Sequence, residues 1–159
     1  MKKILVAIDG SEGALRAVEY VGSQFSGMAD LQITLLHVLP YPPAPLWDDG
    51  HIPDKGEKAE RDKAIDRWLL NQRTKAEAIF SKAVETLIGG KIAPDQILQK
   101  TISDSTDVAA SLLEQARDGG YQTLVVGRRG LSPVSRVFMG SVTTKIISHG
   151  SGIAVCVVE

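Results

Sequence analysis

The residues with the clearest chemical potential lie between Gly127 and Ser141, in the segment GRRGLSPVSRVFMGS. Two glycines three positions apart are followed by nine residues and then by Gly140-Ser141. Glycines lack a Cβ, so the backbone at Gly127 and Gly130 can turn sharply and bring its amides close to phosphate oxygens. Gly140-Ser141 opens an apolar helical pattern, and the first-turn amides and positive dipole end of a helix favour an anion. Between Asp118 and Glu159 the chain has no acidic residue, whereas Arg128, Arg129, Arg136 and Lys145 each add a positive charge. The chemistry implied is capture of a polyphosphate. The competing reading is loop punctuation, with Ser141 as a helix cap and the arginines as a solvated face. The segment is neither a P-loop nor a dinucleotide-binding fingerprint, because the GK[ST] and GxGxxG patterns are both absent.

Other reactive side chains are scattered. Asp9 in the turn Asp9-Gly10-Ser11 either caps the following helix with Glu12 three residues on, or faces a ligand; Ser11 is the alternative cap. A carboxylate beside a polyphosphate suits a Mg2+ ion, so Asp9 is the candidate metal contact. His37 falls in an apolar run, His51 in a Pro-rich stretch and His149 near a helix end, and no His-x-x-x-His or His-x-Gly-His occurs. This counts against zinc hydrolysis and nucleotidyl transfer. His37 reads as a core histidine, Cys156 as a small core hydrophobe, and Asp104 and Asp107 as helix caps. No nucleophile and base stand out as a pair, so binding is favoured over catalysis.

Apolar runs alternate with helical periodicity along the chain, and this pattern supplies the elements that must position these residues. Strands are expected at 3–8, 31–39, 96–102, 123–126 and 153–158. Helices are marked by Ala14, Val18, Val21 and Phe25; by Ile65, Trp68, Leu69, Ala76, Ile79, Phe80, Ala83, Val84 and Leu87; by Val108, Ala109, Leu112, Leu113 and Ala116; and by Val142, Ile146 and Ile147. The segment from Tyr41 to Gly56 carries four prolines and reads as a long mobile loop. Strict βα alternation predicts an α/β fold, a doubly wound five-stranded parallel sheet of order 3-2-1-4-5 with helices on both faces. Ligands of such sheets bind outside the carboxyl ends of the strands where the winding reverses, here after strands 1 and 4. Asp9 leaves the first of these and Gly127–Gly130 the second.

The chain has 159 residues, 43% hydrophobic and 23% charged, which suits one domain over 1–159 with a core that needs neither disulfide nor metal. Lys and Arg total 18 against 19 Asp and Glu, a net charge of -1 that removes the simplest argument for nucleic-acid binding. The apolar run after Lys3 is too short for a signal-peptide core, and no uncharged run approaches a membrane span, so a cytoplasmic location without membrane attachment is expected. The last strand, Ile153 to Val158, is uncharged until Glu159 and would be a sheet edge. Antiparallel pairing of that edge across a two-fold axis would give a homodimer.

The spacing Gly127-x2-Gly130-x9-Gly140-Ser141, with KILVAIDGS at the start and LLHVLP after the first helix, resembles the ATP-binding branch of the universal stress protein family from end to end. The resemblance implies the same five-strand fold, ATP as ligand, and the same dimer contact through the last strand. It places Ala7 and Asp9 by the nucleotide, Val38 against adenine through its backbone, and Val126, Gly127, Arg128, Arg129 and Gly130 near ribose and phosphates. Gly140, Ser141 and Val142 would hold the phosphates at the last helix. Ala7 stands where some members have proline, and Arg128-Arg129 departs from the pair often found between the glycines. The function implied is a nucleotide-responsive regulator in stress response. The alternatives are a slow Mg2+-dependent ATPase or phosphotransferase using Asp9, and a nucleotide-free dimeric interaction module.

Overall fold

The computed structural model describes residues 1–46, 50, 52–103, 105–131, 139–150 and 152–159. In chain order the elements are β1 Lys2–Ala7, α1 Glu12–Gln24, β2 Leu31–Val38, α2 Lys55–Gly89, β3 Ile97–Ile102, α3 Val108–Asp118, β4 Thr123–Gly127, α4 Ser141–His149 and β5 Ala154–Val158. Short 3-10 turns at Ala44–Leu46 and Pro94–Gln96 precede α2 and β3. The sheet order is β3-β2-β1-β4-β5, and every neighbouring pair is parallel. This is the predicted winding.

The central strands are apolar without alternation because helices cover both faces. Leu5 and Val6 are neighbours in β1, point to opposite faces, and are both fully buried. Val6, Ile33, Leu35 and Val125 pack with α1 and α2 through Val18, Val21, Phe80 and Leu87. Leu5, Leu36, Leu124 and Val126 pack with α3 and α4 through Leu112, Leu113 and Ile146. Each buried aliphatic side chain of this kind contributes roughly 1.5–3 kcal/mol relative to exposure. The winding reversal between β1 and β4 is therefore held from above and below by two separate apolar layers.

Two expectations need correction. The segment beginning at Tyr41 does not stay irregular to Gly56: α2 starts at Lys55, where Asp54 accepts the Glu57 amide and Glu57 returns a bond to the Asp54 amide. That reciprocal cap is a stronger start signal than the apolar stripe that predicted the helix. The stripe itself is only half realised, since Ala76, Phe80, Ala83 and Leu87 are buried whereas Ile65, Trp68 and Leu69 are half-buried. His51, Asp104 and Arg136, singled out by the sequence, lie outside the described residues. Among the described residues no helix is long and apolar enough to cross a membrane.

Candidate functional site

At the carboxyl ends of β1 and β4, a cavity of about 250 Å³ opens towards α3 and α4. Ten of the eleven candidate residues line it: Ala7, Asp9, Val38, Val126, Gly127, Arg129, Gly130, Gly140, Ser141 and Val142. They come from four elements and meet because the strands that carry them end side by side: Val6 is in register with Val125, and Ala7 with Leu36. Ile8, Ala14, Leu36, Val108, Leu112, Leu131 and Thr143 complete the apolar and hydroxyl lining and were not anticipated. Leu36 and Leu112 carry a periodic signal, but only the fold tells which apolar residues border a void.

The glycine segment is shaped by close backbone approach. A Cβ on Gly127 would fall inside contact distance of the Gly13 carbonyl, and a Cβ on Gly13 would strike the Arg129 carbonyl oxygen. The loop after β4 thus lies directly on the first turn of α1. Glycine inside that turn costs about 1 kcal/mol relative to alanine, and this was the available hint that Gly13 has a packing duty. A Cβ on Gly130 would lie 2.5 Å from Asp9 Oδ2. The two ends of the segment are clasped together: the Gly140 amide donates to the Arg128 carbonyl at 2.9 Å, and the buried Thr143 hydroxyl donates to the Gly127 carbonyl at 2.9 Å.

The α4 terminus opens on Gly140 with no side-chain cap. Ser141 is therefore not the cap, and the first-turn amides of Ser141, Val142 and Thr143, whose residues line the cavity, lie at a helix start that leaves amides without intrahelical acceptors. Asp9 is not a helix cap either. Its Oδ1 accepts the Ser11 amide at 2.9 Å, while Ser11 caps α1 by accepting the Ala14 amide at 3.1 Å. Asp9 is thereby aimed across the turn, with Oδ2 facing Gly130.

Charge is distributed differently from the linear expectation. Arg128 does not line the cavity; its guanidinium pairs with the Glu159 carboxylate, and its amide donates to the Val158 carbonyl at 2.7 Å. Lys145 pairs with Asp107, which also accepts the Ala110 amide as the cap of α3. The Lys145 ammonium, then the Ala110 amide, hold the Asp107 carboxyl below its ordinary range. Folding thus brings acids from outside the 119–158 segment onto two of its cations, and Arg129 is the cation that lines the cavity among the described residues.

The remaining candidates take structural places. His37 is buried, its Nδ1 2.7 Å from the Ile8 carbonyl oxygen and its ring edge-on to Phe80 at 6.3 Å. His149 Nδ1 bonds the Lys145 carbonyl within α4. Cys156 is half-buried and packs against the α1/α2 layer; its contact with Tyr20 pushes the phenol's pKa up. Among the described residues no three His, Cys, Asp or Glu side chains gather into a metal-binding group. A cation here would have one protein carboxylate, Asp9, and would depend on ligand phosphates for the rest, which is compatible with Mg2+. Apolar walls, an uncapped helix start, an arginine and one carboxylate suit a flat base joined to a sugar phosphate.

A model of the universal stress protein family matches residues 1–158. A curated universal stress protein from Mycolicibacterium smegmatis is 28% identical over 154 residues, covering 97% of this chain and 47% of that protein. The chain thus spans about half the length of that relative. A solved universal stress protein from Archaeoglobus fulgidus in complex with dAMP superposes with a TM-score of 0.65 at 16% identity, covering 100% of this chain and 98% of the other. A universal stress protein in complex with cAMP gives 0.63 at 19% identity, covering 99% and 96%. At these identities the structural likeness is one of fold.

Proposed function

The chain belongs to the universal stress protein family, and from that premise we propose that it binds an adenine nucleotide in the cavity at the ends of β1 and β4. The observation that carries this reading is the meeting of ten sequence-selected residues around one cavity, with the uncapped start of α4 on its wall. The two structural relatives described above hold cAMP and dAMP, which supports the adenine class. ATP is the proposed ligand, its base between the apolar walls from Ala7, Val38 and Val126. Its ribose would lie by Asp9, and its phosphates would face Arg129, Gly130, Gly140, Ser141 and Val142. Mg2+, where present, would neutralise phosphate oxygens beside Asp9.

The proposed role is that of a cytoplasmic, nucleotide-responsive regulator in stress response, acting as a homodimer paired through β5. Among the described residues no nucleophile and base pair in the cavity favours hydrolysis, so binding is the activity assigned. The test is to purify the protein without added nucleotide, release any ligand by acid, identify it by chromatography, and titrate ATP into wild type and Gly130→Glu. Saturable ATP binding to wild type that is lost in the variant is the expected result. Recovery of ADP from ATP-loaded protein, with turnover abolished in Asp9→Ala, would establish the ATPase alternative instead. No titration signal with any adenine nucleotide would overturn the reading in favour of the nucleotide-free module.

A further inference from the structure

A second cavity of about 250 Å³ lies between α1 and α2, on the other side of the Asp9–Ser11 turn. It exists because small side chains face each other there: Ala14 on α1 opposes Ala78 and Ala83 on α2, and Gly10 closes the end beside Ile79. The rest of its lining is aliphatic apart from Lys82 and Ser11, and the Ser11 hydroxyl already accepts the Ala14 amide and reaches the Arg129 carbonyl. No acid lines it. Lys82 does, and among the described residues its ammonium has no carboxylate partner.

We infer that this cavity is a binding site for a medium-chain aliphatic carboxylate, the chain among Ala14, Leu15, Val18 and Ala83 and the headgroup at Lys82. An apolar cavity of roughly 150 Å³ already accepts benzene, so this volume suits a chain of about eight carbons. Among the described residues Lys82 is the single cation in the lining, which matches a monoanion. The inference does not rest on nucleotide binding. It does give the two cavities a common wall, since Ile8 and Ala14 border both.

The test is calorimetric titration of the full chain with octanoate and, separately, 1-octanol, in wild type, Lys82→Gln and Ala78→Trp. Ala78 is exposed on α2, so the indole can fill the cavity without entering the core; retention of the fold is checked by thermal melting. The expected result is saturable, one-to-one octanoate binding that Ala78→Trp abolishes. Lys82→Gln should weaken octanoate by about two- to fivefold, the strength of a partly exposed ion pair, and leave octanol unchanged. Absence of saturable binding, or binding that survives Ala78→Trp, overturns the site. An equal effect of Lys82→Gln on both ligands overturns the carboxylate assignment. Self-association of wild type that Ala78→Trp alone removes would make a second copy the occupant and overturn it too.

Discussion

Gly127, Gly130 and Gly140 all lack positive φ, so left-handed backbone is not what these positions need. The requirement at Gly127 is contact with Gly13, and it predicts the outcome of a minimal change. Gly127→Ala forces the loop off α1 and should destabilise the fold by about 1–3 kcal/mol, read as a lower urea midpoint with an unchanged slope. Thr143→Val is the complementary test at nearly constant shape. It leaves the Gly127 carbonyl without its donor, costing about 1 kcal/mol and loosening the clasp, so ATP affinity should fall in parallel. The site glycines were legible in the sequence because their spacing is unusual. The destination of Arg128 was not, because its partner Glu159 is 31 positions away and arrives only when β5 forms beside β4. Likewise, counting charge along 119–158 could not reveal that Asp107 would reach Lys145.

Helix α2 has 35 residues and so extends about 52 Å, whereas the longest strand, β2 with eight residues, spans about 27 Å. The excess explains why burial begins only at Ala76: the first half of α2 has no sheet to lie on. Periodicity alone could not distinguish the two halves, since Ile65, Trp68 and Leu69 keep the same stripe. The halves should respond differently to mutation. Phe80→Ala opens the layer against His37 and should cost about 3–5 kcal/mol. Asp54→Ala removes the reciprocal cap and should accelerate amide exchange over residues 55–70 while leaving the melting temperature nearly unchanged. Helix α3 is anchored at its start by Asp107, which joins it to α4 through Lys145. With the folded pKa of Asp107 below the unfolded value of about 3.9, its contribution is present above that value. It is lost as pH falls through the lower folded one. Wild type and Asp107→Asn should therefore differ in melting temperature at neutral pH and converge as the pH falls below the lowered folded value.

The order of strands was legible because each βα unit announces itself and handedness prunes the topologies. Strand limits shifted by one residue at several ends, where an apolar residue such as Ile8 or Leu39 lies just past the strand and still donates its amide to the neighbouring one. The molecule has two sheet edges, and they differ. β3 presents exposed Gln99 and Lys100, whereas β5 presents Ala154, Val155, Cys156, Val157 and Val158 with no charge. A charged edge resists pairing and an apolar one invites it, so the proposed dimer has a preferred side. In β5 the Ala154 amide and the Val158 carbonyl are bonded to the β4 side. Alternation therefore turns the amides of Val155 and Val157 outward. Val157→Pro removes one outward donor while sparing the ladder to β4, and sedimentation should show the dimer weakened with the monomer still folded.

The meeting of Arg16 and Arg128 on Glu159 has a practical side. Residue 159 sits against the loop that borders the proposed nucleotide cavity, whereas Met1, paired with Asp30, lies at the opposite end of β1, about 20 Å away. A purification handle fused after residue 159 would run beside the very surface being assayed. A handle before Met1 would leave that surface alone, and an environment-sensitive dye coupled at position 159 turns the same proximity into a reporter of ligand arrival.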